Sequence, residues 1–201
     1  MTTANPSPDA LIHLPVGGRR LADAELVERA VEGNAWAEEA LYRRYAEMVI
    51  GTAKRLLGNA DEAADVAQDS FLIAFEKLPT LRDASTFKTW LMQIAVRNVH
   101  RRFRRRRLLR WIGLDQTDDG ALEALVSSDA PLDVKADLAT LGVVLSKIPA
   151  ALRVPWMLRH VEGHELTEVA ALCNCSLATA KRRIFAAESR VARRFGSVGV
   201  P

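Results

Sequence analysis

The stretch from Phe87 to Arg110 constrains this chain more than any other. It reads FKTWLMQIAVRNVHRRFRRRRLLR. Phe87, Leu91, Ile94, Ala95, Val99 and Phe103 recur at the spacing of one helix face. From Lys88 to Arg110 there is no acidic residue at all. A helix that meets only water normally mixes signs and gains pairs four residues apart; this one repels itself. It has to pack through its apolar stripe and turn the rest toward a polyanion, where each neutralised phosphate releases counterions. Phe87 reads as core. Trp90 has two readings of equal weight, a core ring or an aromatic face on which an unpaired base stacks.

The segment just upstream has the opposite sign. Residues 61–78 form a helical pattern with Val66, Ala67, Phe71, Ile73, Ala74 and Phe75 as apolar contacts, ended by Pro79. Asp65, Gln68 and Asp69 stand at i, i+3 and i+4 and so share one exposed face. Such a face is either simply solvated or built for docking. Charge is segregated along the whole chain. The net charge is only +3, yet the cations bunch in Arg97–Arg110 and again in Lys181–Arg194. That spacing suggests a polyanion bound at two separate places.

The remaining patterns are helical too. Residues 23–31 and 35–57 carry apolar stripes separated by Gly33-Asn34, with Asp23 as the expected first cap and Gly58-Asn59 as the second stop. No segment alternates with period two for long enough to make a strand, so the expected fold class is all-α. Residues 1–21, with Pro6, Pro8, Pro15 and Gly17-Gly18, read as a flexible tail. The expected first domain spans 22–107. A linker follows over 108–133, with an acidic middle at Asp115, Asp118, Asp119 and Glu123 and short helical turns near 108–112 and 121–126.

The expected second domain spans 134–196, with helices over 134–147 and 152–161 and with Pro155 in the first turn of the latter. HELTEVAALCNCSLATAKRRIFAAESRVARRF then reads as a helix-turn-helix. Residues 165–172 support, Cys173-Asn174-Cys175 turns, and Ser176 caps the second helix. Leu177, Ala180, Ile184 and Ala187 face inward. Ala178, Thr179, Lys181, Arg182 and Phe185 remain on the outward side, where a recognition helix meets base edges and phosphates.

DEAADVAQDSFLIAF, followed by FKTWLMQIA, resembles the second region of bacterial RNA polymerase sigma factors of the extracytoplasmic-function type. DAELVERAVEGNAWAEEALYRRY is similar to that group's opening helices, and IPAALRVPWMLRHVEGHELTEVAALCNCSLATAKRRIF to its fourth region. The resemblance implies two small helical domains on a flexible linker, the second with a helix-turn-helix. It implies a specificity subunit without enzymatic activity or cofactor, which binds polymerase core, recognises −35 promoter DNA and melts −10 DNA. Asp65, Gln68 and Asp69 match the core-binding face. Arg82, Trp90, Arg97, Asn98, His100, Arg101 and Arg104 fall in the −10 segment, with a flipped base held by the loop over 81–86. Thr179, Lys181, Arg182 and Phe185 match the −35 contacts. The family often has Asn at the position of Arg97, whereas here Asn98 comes one place later; one residue turns a side chain by about 100°. An anti-sigma protein is an implied partner, and the cytoplasm the implied compartment.

Two other function classes share part of this pattern. One is a helix-turn-helix regulator that works without polymerase, which has no need of the Asp65-Gln68-Asp69 face. The other adds a zinc- or redox-responsive site at His160, His164, Cys173 and Cys175; against it stands a surface histidine pair with small residues filling a tight turn. An enzyme is disfavoured, since the chain has no glycine-rich phosphate loop and no nucleophile triad pattern. No apolar run approaches the roughly 18 residues of a membrane span.

Overall fold

Short polar caps cut the chain into helices. The computed structural model describes residues 21–111 and 132–195. Among them are α1 (Asp23–Val31), α2 (Ala35–Leu57), α3 (Ala60–Lys77) and α4 (Phe87–Trp111), then α5 (Leu132–Ser146), α6 (Ala150–His160), α7 (Leu166–Leu172) and α8 (Leu177–Phe195). No strand occurs in the described residues, as the missing period-two pattern leads one to expect. The tail over 1–20, the acidic middle of the linker and the turn at 121–126 lie outside the described residues.

Asn34 accepts the Ala37 N–H on its side chain at 3.2 Å and opens α2. Gly58 closes it with a left-handed φ of 71°, its N–H returning to the Lys54 carbonyl. Asn59 then caps α3, accepting from the Glu62 N–H at 2.9 Å. Asp23, expected as a cap, makes no cap bond; Ala22 holds the cap position. The Asp23 carboxylate is used across the helix pair, on Arg44 at 2.5 Å and on the Tyr45 hydroxyl. Burial, with Asp23 beside it, pushes the Tyr45 phenol up to about 12.

The core of the first unit is the apolar stripe of α2 packed on α3 and α4. Leu41, Val49, Leu56, Phe71, Phe87 and Leu91 are buried in it. Each such side chain contributes about 1.5–3 kcal/mol relative to exposure. Two 3₁₀ turns, Leu78–Thr80 and Ala84–Thr86, carry the chain from α3 to α4. Pro79 lies in the first of them. The fourth helix runs to Trp111, beyond the expected boundary at 107, because Leu108 and Leu109 extend it without a breaker.

In the second unit α6 packs on α8, with α7 against both. Glu165 and Glu168 form a reciprocal capping box at the start of α7. Asn174 takes a left-handed φ of 48°, which makes the turn into α8. Ser176 accepts the Thr179 N–H at 3.2 Å, as expected of a cap. Two details differ. Helix α6 starts at Ala150, so Pro155 is inside the helix and buried, past the first turn. Leu177 is exposed, because the helix begins with that residue and its first turn overhangs the core.

The two units touch. Helix α7 packs on α4, and the buried residues of both units form one continuous cluster. Glu162, in the turn after α6, has a side chain only 8% exposed. It accepts from Thr52 Oγ1 at 3.1 Å and from Arg55 Nη2 at 2.6 Å, and takes a further bond from Arg55 Nε. The Arg153 guanidinium lies 4.1 Å from the centre of the Phe103 ring and donates to the Leu145 carbonyl at 3.3 Å.

Candidate nucleic-acid interface

Helix α3 gives its inner side to Val66, Ala67, Phe71 and Ala74, and that fixes what its other side presents. Asp65 and Gln68 are exposed and Asp69 half-buried, on one stripe as predicted. The stripe continues to Leu72, 62% exposed and seven residues from Asp65. Sequence reasoning passed over Leu72; its signal was that same i+7 register. Leu72 thus adds one apolar side chain to an outward stripe of carboxylates and an amide.

The arginine-rich helix α4 lies against this acidic helix, and that alters the expectation of a self-repelling surface. Arg101 Nη2 meets Asp69 Oδ2 at 2.9 Å and Arg102 Nη2 meets Asp65 Oδ2 at 3.1 Å. Arg106 Nη2 meets Glu62 Oε2 at 2.6 Å and is itself buried. Three of the cations are therefore neutralised by α3. Arg97, Arg104, Arg105 and Arg107 are exposed and have no ion pair among the described residues. With Lys88, exposed in the first turn, they form the open cationic part of the described helix.

Asn98 does not join them. It is 5% exposed, and its Nδ2 donates to Ser70 Oγ at 2.9 Å. Ser70 in turn donates to the Val66 carbonyl at 2.5 Å. The expectation that Asn98 meets DNA is corrected: its side chain is a buried polar link between α3 and α4, and Arg97 is the member of the pair that faces out. His100 also points elsewhere. It is half-buried at the contact between the units, and burial, with Arg183 and Arg104 nearby, lowers its pKa to about 4. At neutral pH it is an uncharged imidazole and adds nothing to a phosphate-binding field.

Trp90 is half-buried, its ring 6.3 Å from that of the fully buried Phe87. Part of the indole is thus backed by core, and part is open. Arg82 is exposed in the preceding loop. That loop and α1 line an open cleft of about 590 Å³, with Val27, Glu28, Val31, Leu81 and Arg82 among its walls. Asp83 shapes the loop by accepting from the Ser85 hydroxyl at 2.6 Å and the Ser85 N–H at 2.9 Å. Those bonds hold its carboxyl below the usual range.

On α8, Lys181, Arg182 and Phe185 are exposed, the last at 70%. Thr179 is half-buried and shares a hydroxyl contact of 2.9 Å with Ser176. The ring and the two cations lie on the outward side of α8. The His and Cys residues are not gathered into a site. His160 pairs with Glu188 at 3.0 Å and stacks on Trp156, while His164 faces Glu168. Burial pushes the Cys173 thiol up to about 12, away from the thiolate that metal or redox chemistry needs. Among the described residues no group of three or more His, Cys, Asp or Glu is placed to hold a metal. No helix of the described residues is long and apolar enough to cross a membrane.

Residues 41–108 match the family model for Sigma-70 region 2. That range takes in α3, the loop and most of α4. The chain is 30% identical over 177 residues to the RNA polymerase sigma-H factor of Pseudomonas aeruginosa, covering 84% of this chain and 91% of that protein. It is 28% identical over 180 residues to the ECF RNA polymerase sigma-E factor of Escherichia coli, covering 86% and 93%. Its fold is similar to the sigma factor RpoE of Bartonella quintana, solved with the anti-sigma factor NepR, at a TM-score of 0.61 and 21% identity over 80% of this chain and 98% of that one. It is also similar to CnrH, solved with the cytosolic domain of CnrY, at a TM-score of 0.60 and 21% identity over 89% of this chain and 100% of that one.

Proposed function

The chain belongs to the sigma-70 family of RNA polymerase sigma factors, in the extracytoplasmic-function group, and we propose that its two helical units divide promoter recognition between them. It is the dissociable specificity subunit; phosphodiester chemistry belongs to the polymerase core. The first unit, from residue 22 to the end of α4, docks on core through Asp65, Gln68 and Asp69, and Leu72 supplies the apolar contact of that face. The same unit opens −10 DNA with the loop cleft beside Arg82, the exposed part of Trp90, and the cations Arg97 and Arg104. The second unit, from α5 to α8, reads −35 DNA with Thr179, Lys181, Arg182 and Phe185. An anti-sigma protein is the natural regulatory partner, since RpoE was solved with one. The cytoplasm is where polymerase is met.

The observation that carries this reading is the outward stripe of Asp65, Gln68, Asp69 and bare Leu72, next to an open row of arginines on the adjoining helix. A DNA-binding regulator that works without polymerase has no use for the first of these surfaces. The test is in vitro transcription with purified bacterial core polymerase on genomic fragments. Promoter-specific starts are expected with the wild-type chain. Asp65→Ala with Gln68→Ala is expected to lower core affinity at least tenfold while the far-UV spectrum is unchanged. A chain that neither binds core nor directs starts refutes the proposal.

A further inference from the structure

The expected −10 contact Arg101 is held by the expected docking carboxylate Asp69, and both are accessible. The Arg101 side chain is 56% exposed and the pair measures 2.9 Å. Exposed pairs of this sort are weak and exchange readily with other ions. The neighbouring pairs differ. Arg106 is buried on Glu62 and reaches the Leu57 carbonyl at 3.4 Å. Arg102 is only 20% exposed on Asp65. Helix geometry sets them apart too. Arg101 stands about 40° around α4 from the open residue Arg97, whereas Arg102 stands about 140° away, toward α3.

We propose that Arg101 is shared between the two faces: Asp69 holds it in the free chain, and a partner that takes Asp69 with its own cations releases it to DNA phosphate. The inference rests on reading α3 as the polymerase-docking face. It makes docking and −10 binding reinforce one another, because a ligand that favours the released arginine on one face favours it on the other by the same factor. It also specifies the partner surface as cationic where it covers Asp69, and it leaves Arg102, about 140° around α4 from Arg97 and only 20% exposed, out of the exchange with DNA.

The test measures binding of the full-length chain to a fluorescent oligothymidylate as a function of salt. Asp69→Asn frees Arg101 without a partner. One more phosphate contact steepens the slope of log affinity against log salt by about 0.7 for a single strand, so the affinity lost between about 50 and 400 mM salt grows by about fourfold. Asp65→Asn and Glu76→Asn remove the same charge and are expected to leave the slope at the wild-type value. Arg101→Ala added to Asp69→Asn is expected to restore it. Equal slopes for all three single variants, or a steep slope that survives Arg101→Ala, overturn the proposal. Unaltered far-UV spectra show that each variant is folded. Core binding by Gln68→Ala is measured alongside. If it equals wild type the docking reading fails, whatever the slopes are; if it falls and the slopes are equal, only the sharing of Arg101 fails.

Discussion

Truncating Glu162 is expected to separate the two helical units. Its carboxylate is an enclosed charge between them, with three donors arriving from α2: the Thr52 hydroxyl and two nitrogens of Arg55. Hydrogen bonds to a charged group contribute a net of about 1.5–3 kcal/mol each. Removing one partner of a fully buried pair costs about 3–5 kcal/mol. Arg55 is partly exposed and regains water once Glu162 is gone, so the figure is discounted to about 2 kcal/mol. That shifts the closed-to-open ratio by about 30-fold. The readout is amide hydrogen exchange at the C-terminal turn of α2 and at residues 161–165, because each unit has its own helix packing and a global melt reports the contact poorly. Glu162→Ala is expected to accelerate exchange at both places, and Glu162→Gln by less. Combined with Arg55→Ala, a coupling energy above about 1 kcal/mol is expected. Strict additivity, within about 0.3–0.5 kcal/mol, refutes the reasoning, for the two groups then do not act on each other.

Three further outcomes follow from single side chains. His100 has its pKa lowered from 6.5 to about 4 by burial and by Arg183 and Arg104. The unfolded or opened chain therefore binds a proton that the closed one refuses, so stability is full above pH 6.5 and falls by on the order of 3 kcal/mol as pH drops toward 4; His100→Phe is expected to flatten a melting-temperature profile over that window. Asn98→Ala is expected to lower stability by about 1–2 kcal/mol through loss of the Ser70 bond and some packing, with DNA affinity of the folded protein unaltered in an anisotropy titration. Lys181→Ala is expected to weaken −35-dependent initiation by about 1–3 kcal/mol if it meets a base edge, and to weaken binding evenly across sequences, with a shallower salt slope, if it meets phosphate; transcription from paired promoters with and without the −35 element distinguishes the two.

The helices were legible because their signals are local. Asn34, Gly58 and Asn59 bound α2 and α3 by bonds that reach only three or four residues, so a one-dimensional pattern contains them. The burial of Phe87, Leu91 and Phe103 follows from the 3.6-residue stripe in the same way. Pro155 departs from the expectation for an equally local reason: the start of α6 lies two residues earlier than its apolar stripe suggests, and two residues decide whether a proline is in the first turn or past it. The choice between Arg97 and Asn98 turned on a rotation of about 100°, which the neighbouring helix settles through Ser70.

What the sequence could not express is the neutralisation of α4 by α3. The chain from Lys88 to Arg110 has no acid, which in one dimension means self-repulsion relieved only by a polyanion. The relief comes in part from Glu62, Asp65 and Asp69, which lie 44, 37 and 32 residues from their arginines and have no local pattern linking them. Charge density along a sequence therefore overstates the field a helix offers to DNA. The open set contracts to Lys88, Arg97, Arg104, Arg105 and Arg107, with Arg101 at its edge. It also follows that the acidic face cannot be mutated without effect on the basic one. Neutralising Asp65 or Asp69 changes the charge of the docking stripe and the pairing of an arginine at once, so a loss of transcription in such variants is not by itself a measure of docking. Gln68, which has no charge and no arginine partner in the described residues, reports on the docking face alone.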